Sequence, residues 1–363
     1  MNHRTVVGIL LSIRVARMAT IFVVSTLLAV MAGSGDMYGQ GPEPTGTGPE
    51  KVIIDTDIGD DIDDAFALAL ALSNKDIKIL GVTTAWGDTD LRARLVERLL
   101  KNTDHEDILV AAGPKTASRV HFTQAAWAEA FPEPAGKWPD AVDFILDAIR
   151  QNPGEITLIS LAPLSNVGAA IDRDPATFRQ LKRVVIMGGS IGHGPGAHDP
   201  TAEYNIYMDI PAAKKLFASA VPIDMMPIDV TQMHLDWALR STLLRNHTPV
   251  TDTLNELYLE WARYPNNVTP TLFDGMAVAA AINPSLCPTT PMHIRIDDAG
   301  ITRVQNGAPN ANVCLHSNPD EFFHFYQEQV LAANAGSQGS TAWAGWDMVV
   351  SLARYLAASE LRW

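Results

Sequence analysis

Apolar and polar positions along this chain keep two rhythms, and the balance between them shifts past its middle. Short runs rich in β-branched residues recur at 51–57, 77–85, 108–113, 156–163, 183–189 and 221–230. Each is too continuously apolar for a strand with one wet face. Between several of them lie stretches with apolar residues at helical spacing: 65–73, 91–100, 141–151 and 165–171. Strands buried on both faces and separated by amphipathic helices predict an α/β protein with a mostly parallel sheet. Right-handed crossovers leave an open, doubly wound sheet as the simplest topology. After Val230 the pattern turns helical, at 235–244, 253–261, 276–282 and 342–358, so a helical C-terminal portion is expected. No repeat or break divides residues 51–363, which we read as a single domain.

The N-terminus follows other rules. Arg4, Arg14 and Arg17 precede an apolar run at 19–32, and small residues Ala32, Gly33 and Ser34 close it. The run is shorter than the roughly 20 residues that a membrane-spanning helix needs. Residues 1–32 therefore read as an export signal, with an uncleaved N-terminal anchor as the alternative. Residues 33–50, rich in Gly, Pro and Thr, read as a linker. The expected location is periplasmic or extracellular, with no stable membrane span in the mature protein.

Composition narrows the partners. Apolar residues make up 47% of the 363, enough for a full core, and the net charge is −14. Nucleic-acid binding needs basic surface to displace counterions, so that class is excluded. A phosphorylated substrate fits poorly too, whereas a neutral small molecule and a cation suit an acidic surface. The two cysteines, Cys287 and Cys314, are read as buried thiols acting as small hydrophobes; export would permit a disulfide instead.

The densest chemistry lies where the first strand ends. Asp55 and Asp57 are followed by Asp60, Asp61, Asp63 and Asp64, and then by an apolar helical run. Crowded carboxylates raise one another's pKa unless a cation sits among them. Ca²⁺ accepts many carboxylate oxygens in irregular geometry. Open α/β sheets place ligands at the carboxyl ends of their strands. Two other readings account for part of the run: a solvated turn in which Asp63 or Asp64 caps the helix, and a phosphatase-like pair of Asp55 and Asp57. Polar clusters also end the later strands: Thr83 to Asp88, Leu161 to Asn166, Met187 to Ser190, then Glu203 to Tyr207 and Phe273 to Gly275.

These clusters read DTDIGDDIDDAFAL, LAPLSN, VVIMGG, AEYNIYMD and DGMAVA, in that order. The set resembles the calcium-dependent nucleoside hydrolases from about residue 51 to 283. The resemblance implies Ca²⁺ held by Asp57, Asp64, Asp274 and the carbonyl of Leu161, with Asp57 also the general base. It implies Asp63 as a further carboxylate beside the sugar 2′-hydroxyl, with Asp61 a contender because two residues separate this acid pair from the commoner spacing. Glu203 and Asn205 match ribose contacts, and Asp274 belongs to both sets.

Phe273 stands where many members carry a leaving-group histidine, and Asp88 where many carry asparagine. Together they imply purine-leaning specificity. A family asparagine becomes Ala197, with His198 or Asp199 as substitutes, and His121 and Trp127 fall in the loop expected over the pocket. The implied activity is hydrolysis of ribonucleosides to base and ribose, in a homo-oligomer. A non-catalytic nucleoside or sugar binder and a metal-dependent phosphatase are the alternatives.

Overall fold

The computed structural model describes residues 48–133, 135–192 and 199–332. The export signal, the linker up to residue 47 and the expected helix at 342–358 lie outside the described residues. Within 48–332 the chain builds one nine-stranded sheet flanked by helices. The strands are β1 (Glu50–Thr56), β2 (Ile77–Thr84), β3 (Leu109–Ala112), β4 (Ile156–Ser160), β5 (Arg183–Met187), β6 (Ile223–Met226), β7 (Thr289–Ile296), β8 (Thr302–Gln305) and β9 (Ala311–Cys314). Their order is β3-β2-β1-β4-β5-β6-β9-β7-β8. All pairings from β3 to β9 are parallel; β7 runs antiparallel to β9, and β8 to β7.

β1 sits at the centre because Val52, Ile53 and Ile54 are apolar on both faces and fully buried. The chain winds outward through β2 and β3 on one side and through β4, β5 and β6 on the other. The switch between these directions falls between β1 and β4, where an open sheet leaves a crevice at its carboxyl edge.

Two helices are buried nearly all round: Asp63–Ser73 (DDAFALALALS) and Phe273–Ile282 (FDGMAVAAAI). Such helices belong to a core rather than a surface. They pack against one another. Neither has a side-chain cap, and each carries acids in its first turn. The helix dipole favours those acids there.

The C-terminal portion is less helical than expected, since β7, β8 and β9 complete the sheet. β7 reads TTPMHIRI and is half exposed, β8 shows three of its four residues to solvent, and β9 has only four residues. Short strands and strands with a wet face carry no continuous apolar run, so their pattern is weak. The strand expected over 221–230 stops at Met226, because Pro227 lacks an amide to donate and a short helix, Ile228–Thr231, follows. The cysteines also depart from the expected thiols: Cys287 and Cys314 form a disulfide, with Cα atoms 5.5 Å apart. It ties the end of β9 to the segment beyond helix Phe273–Ile282. Among the described residues no helix is long and apolar enough to cross a membrane.

Candidate active site

β1 delivers two aspartates to its carboxyl end, and they face different ways. Asp55 is fully buried. Its carboxylate accepts from the Thr83 hydroxyl at 2.6 Å and from Asn166 Nδ2 at 2.7 Å. It joins β1 to β2 and to the turn after β4, and it lines no part of the pocket described below, so the nucleophile that a phosphatase would need is absent from the site. Burial raises its carboxyl to about 6, against the lowering effect of those two hydrogen bonds.

Asp57 turns toward a pocket of about 270 Å³. Burial pushes its carboxyl up to about 7, with the Arg92 charge opposing and Asp60 assisting. The turn that follows needs Gly59, whose φ is +123° and whose Cβ would meet the Phe122 ring at 2.2 Å. Only glycine takes that backbone conformation freely.

Asp63, Asp64 and Asp274 meet on the pocket floor, each with a carboxylate oxygen within 4.8 Å of the others. All three are buried. Asp64 accepts a hydrogen bond from the Thr56 hydroxyl. Burial first, then mutual repulsion with neighbouring acids including Asp57, holds all three carboxyls well above the usual range. The nearby basic group is Arg92, and it is committed elsewhere. Its guanidinium donates to the carbonyls of Asp57, of Ile58 at 2.9 Å and of Trp86 at 2.7 Å, and it pairs with Asp60 at 2.7 Å. Four buried carboxylates without a free counter-charge cost too much to leave ionised. Their oxygens form a hard donor set that fits a divalent cation such as Ca²⁺ or Mg²⁺, and Leu161 lines the same pocket.

Another part of the lining comes from β5 and the segment after it. Glu203 caps the short helix Tyr204–Met208. It accepts from the amides of Gly189 at 2.8 Å, Asn205 at 2.9 Å and Ile206 at 3.2 Å. Burial raises its carboxyl despite those bonds. Asn205 donates from Nδ2 to the carbonyls of Leu161 at 2.8 Å and Met187 at 3.1 Å. Phe273, Val120, Met187 and Ile228 give the pocket an apolar side, and Tyr204 lines it too.

Of the residues singled out in the sequence, Asp57, Asp63, Asp64, Leu161, Glu203, Asn205, Phe273 and Asp274 converge on this pocket. Asp88 does not. It caps helix Thr89–Asn102 through the Leu91 amide and pairs with Lys115 at 2.7 Å, half exposed in a separate depression. Both Asp61 and Asp63 line the pocket, but Asp63 is the buried one that joins the floor; Asp61 is exposed. His121 is hydrogen-bonded to the Tyr264 hydroxyl at 2.6 Å, and the Trp127 indole donates to Glu256 at 2.8 Å; neither lines the pocket. Ala197 and His198 lie outside the described residues, and Asp199 is exposed. Asp60, Met187 and Tyr204 stood within the clusters read from the sequence but were given no role of their own, and Val120, Ile228 and the buried Arg92 were not singled out. Arg92 sits in LRARLVERLL, which reads as an ordinary solvated helix.

The sequence model of the family "Inosine-uridine preferring nucleoside hydrolase" matches residues 52–324. An uncharacterized protein of Schizosaccharomyces pombe is 38% identical over 198 residues, which cover 51% of this chain and 63% of the relative, under two thirds of its length. Uridine nucleosidase 1 of Arabidopsis thaliana is 30% identical over 270 residues, covering 69% of this chain and 80% of that protein. Among solved structures, a plant nucleoside hydrolase, the PpNRh1 enzyme, superposes with a TM-score of 0.67 at 25% identity, covering 78% of this chain and 99% of that one.

Proposed function

The chain belongs to the inosine-uridine preferring nucleoside hydrolase family, and from that membership we propose that it hydrolyses the N-glycosidic bond of ribonucleosides to free base and ribose. One observation carries this reading: Asp57, Asp63, Asp64 and Asp274 crowd the floor of a pocket whose walls offer Glu203, Asn205 and Phe273. Breaking the bond from C1′ to the base nitrogen leaves its electrons with the base and develops an oxocarbenium-like charge on the sugar, as in glycoside cleavage. Buried carboxylates fixed around that carbon stabilise the positive charge as it forms.

Asp57 takes the proton of the attacking water, and a cation beside it would keep its carboxylate ionised and ready to do so. Asp63 faces the 2′-hydroxyl, and the Glu203 carboxylate and Asn205 Oδ1 accept hydrogen bonds from the sugar hydroxyls, since Asn205 Nδ2 is already committed to two carbonyls. Phe273 packs on the base. A Ca²⁺ ion on Asp57, Asp64, Asp274 and the Leu161 carbonyl would supply Lewis acidity toward water and an anchor for the sugar diol. We further propose that the protein is exported, which the Cys287–Cys314 disulfide supports, since such bonds persist in oxidising compartments.

For the base, Phe273 supports the purine-leaning reading, but Asp88 no longer does, because it lies outside the pocket. The name of the Arabidopsis relative favours uridine as a second reading. A panel of ribonucleosides assayed for reducing sugar, with and without chelator, decides both. Release from at least one nucleoside, suppressed by chelator and restored by Ca²⁺, is expected. No release from any of them in excess Ca²⁺, with nucleoside still bound in calorimetry, would leave a non-catalytic binder.

A further inference from the structure

β8 lies at the far edge of the sheet, yet its first residue is bonded to Ser190, next in the chain to the glycine that binds the pocket residue Glu203. Thr302 is fully buried. Its hydroxyl donates to the carbonyl of Ser190 and accepts from the amide of the same residue at 2.8 Å, closing both backbone groups with one side chain. The neighbouring Ile301 forms an antiparallel bridge with Ala202, and the Thr201 amide donates to Ser190 Oγ at 3.3 Å. Ser190 ends the turn after β5, whose Gly189 donates its amide to Glu203 at 2.8 Å. That glycine has φ +83°, and a Cβ on it would lie 2.9 Å from Thr302 Cγ2. Backbone and side chain are therefore in close contact along the whole path from β8 to Glu203.

We infer that Thr302, at the head of β8, is a positioning residue for the sugar-binding wall. Its hydroxyl locks the turn 188–190, while Ile301 holds the segment 201–203, and together they set where the Glu203 carboxylate stands. The inference rests on the reading of Glu203 as a contact to the sugar hydroxyls. A contact made alike in the ground state and the transition state, once loosened, raises KM and leaves kcat in place.

Thr302→Val keeps the shape and removes the hydroxyl, whereas Thr302→Ser keeps both hydrogen bonds. The Val variant is expected to raise KM for a cleaved ribonucleoside about tenfold with kcat within about threefold. Its Ca²⁺ affinity by calorimetry should match the unaltered protein, and the Ser variant should retain the original KM. In a Glu203→Gln background, Thr302→Val should add less than about twofold, because residues acting through one contact are non-additive.

An unchanged KM in the Val variant, equal damage in the Ser variant, or a full multiplicative effect in the Gln background overturns the inference. If the Val variant does not fold, Thr302→Ala replaces it; if neither folds, Thr302 serves folding rather than positioning and the inference falls. The unaltered protein is assayed alongside: should it cleave no ribonucleoside, the proposed function fails, an outcome separate from a normal KM in the Val variant.

Discussion

The two edges of one sheet handle buried acids in opposite ways. At the amino edge, Glu50 opens β1, Arg183 opens β5 and Asp224 lies in β6. Arg183 pairs with Asp224 at 2.8 Å and Glu50 at 3.1 Å, and donates to Thr157 at 3.2 Å and to the Ala281 carbonyl at 3.0 Å. Lys182 adds a second cation beside Glu50 at 3.1 Å, and Asn312 donates to Asp224 at 3.0 Å. Burial alone would raise the Glu50 carboxyl, but the Thr157 hydroxyl and the Arg183 and Lys182 charges outweigh it and hold it below its ordinary value. At the carboxyl edge, Asp57, Asp63, Asp64 and Asp274 share no such partner and are all raised. A self-sufficient ion network is a structural device. A cluster that folding leaves uncompensated points to something the chain must bind.

The largest effect should separate the edges by function. Asp57→Asn is expected to lower base release by about 10³-fold, the range for losing a general base, while the protein still folds. Arg183→Met should leave kcat/KM of the folded molecules within about twofold, because it touches no pocket residue. Reducing-sugar kinetics on both variants measure this. Substantial turnover by Asp57→Asn would remove that residue from its proposed role, and a lost rate in Arg183→Met would mean the edges are not independent.

The second effect separates them by pH. In protein stripped of cations, Asp57 rises from 3.8 unfolded to about 7 folded. The folded state then binds the extra proton, so this stability is full below about pH 4 and lost as pH climbs through 7. The loss should amount to a few kcal/mol at about 1.4 kcal/mol per unit. Glu50 has the reverse sign: its depressed carboxyl stabilises above its ordinary 4.5 and less as pH falls. Thermal midpoints of chelated protein should fall between pH 5 and pH 8, and Ca²⁺ at pH 8 should reverse the fall. Midpoints that rise over that span without cation would contradict an uncompensated cluster.

The third effect concerns stability alone. Arg183→Met leaves Glu50 and Asp224 half-buried without their main partner, at a cost of about 2–4 kcal/mol, somewhat below the fully buried case. Denaturant titration reads it directly. A double variant with Glu50→Gln should recover part of the loss, as coupled partners do.

How much of this was legible beforehand depended on whether the chemistry was local. Asp57, Asp63 and Asp64 announced themselves because like charges crowd a short segment after an apolar strand. Asp274 sits more than two hundred positions away, and only resemblance to a family joined it to them. Arg92 stayed hidden because an arginine at helical spacing looks solvated, and nothing in the linear pattern says that its helix turns it inward. β7 and β8 stayed hidden because strands with a wet face lack an apolar run, so Thr302 was invisible as well. Asp88 was misplaced because an aspartate before a helix reads the same whether it caps or binds.

Asp88 also supplies the smallest and most discriminating test. It lies on the carboxyl edge, just beyond β2, yet Lys115 pairs with it and the Leu91 amide donates to it. If position on the edge were what marks a functional acid, Asp88→Ala would impair turnover. If lack of a partner is what marks it, the substitution should leave kcat/KM within about twofold and cost about 1 kcal/mol, the usual loss of a helix N-cap. The exposed pair with Lys115 adds little to that, because solvent screens it. A tenfold loss of kcat/KM with an unchanged denaturation midpoint would mean that Asp88 reaches the substrate after all, and that pairing does not distinguish the scaffold acids from the working ones.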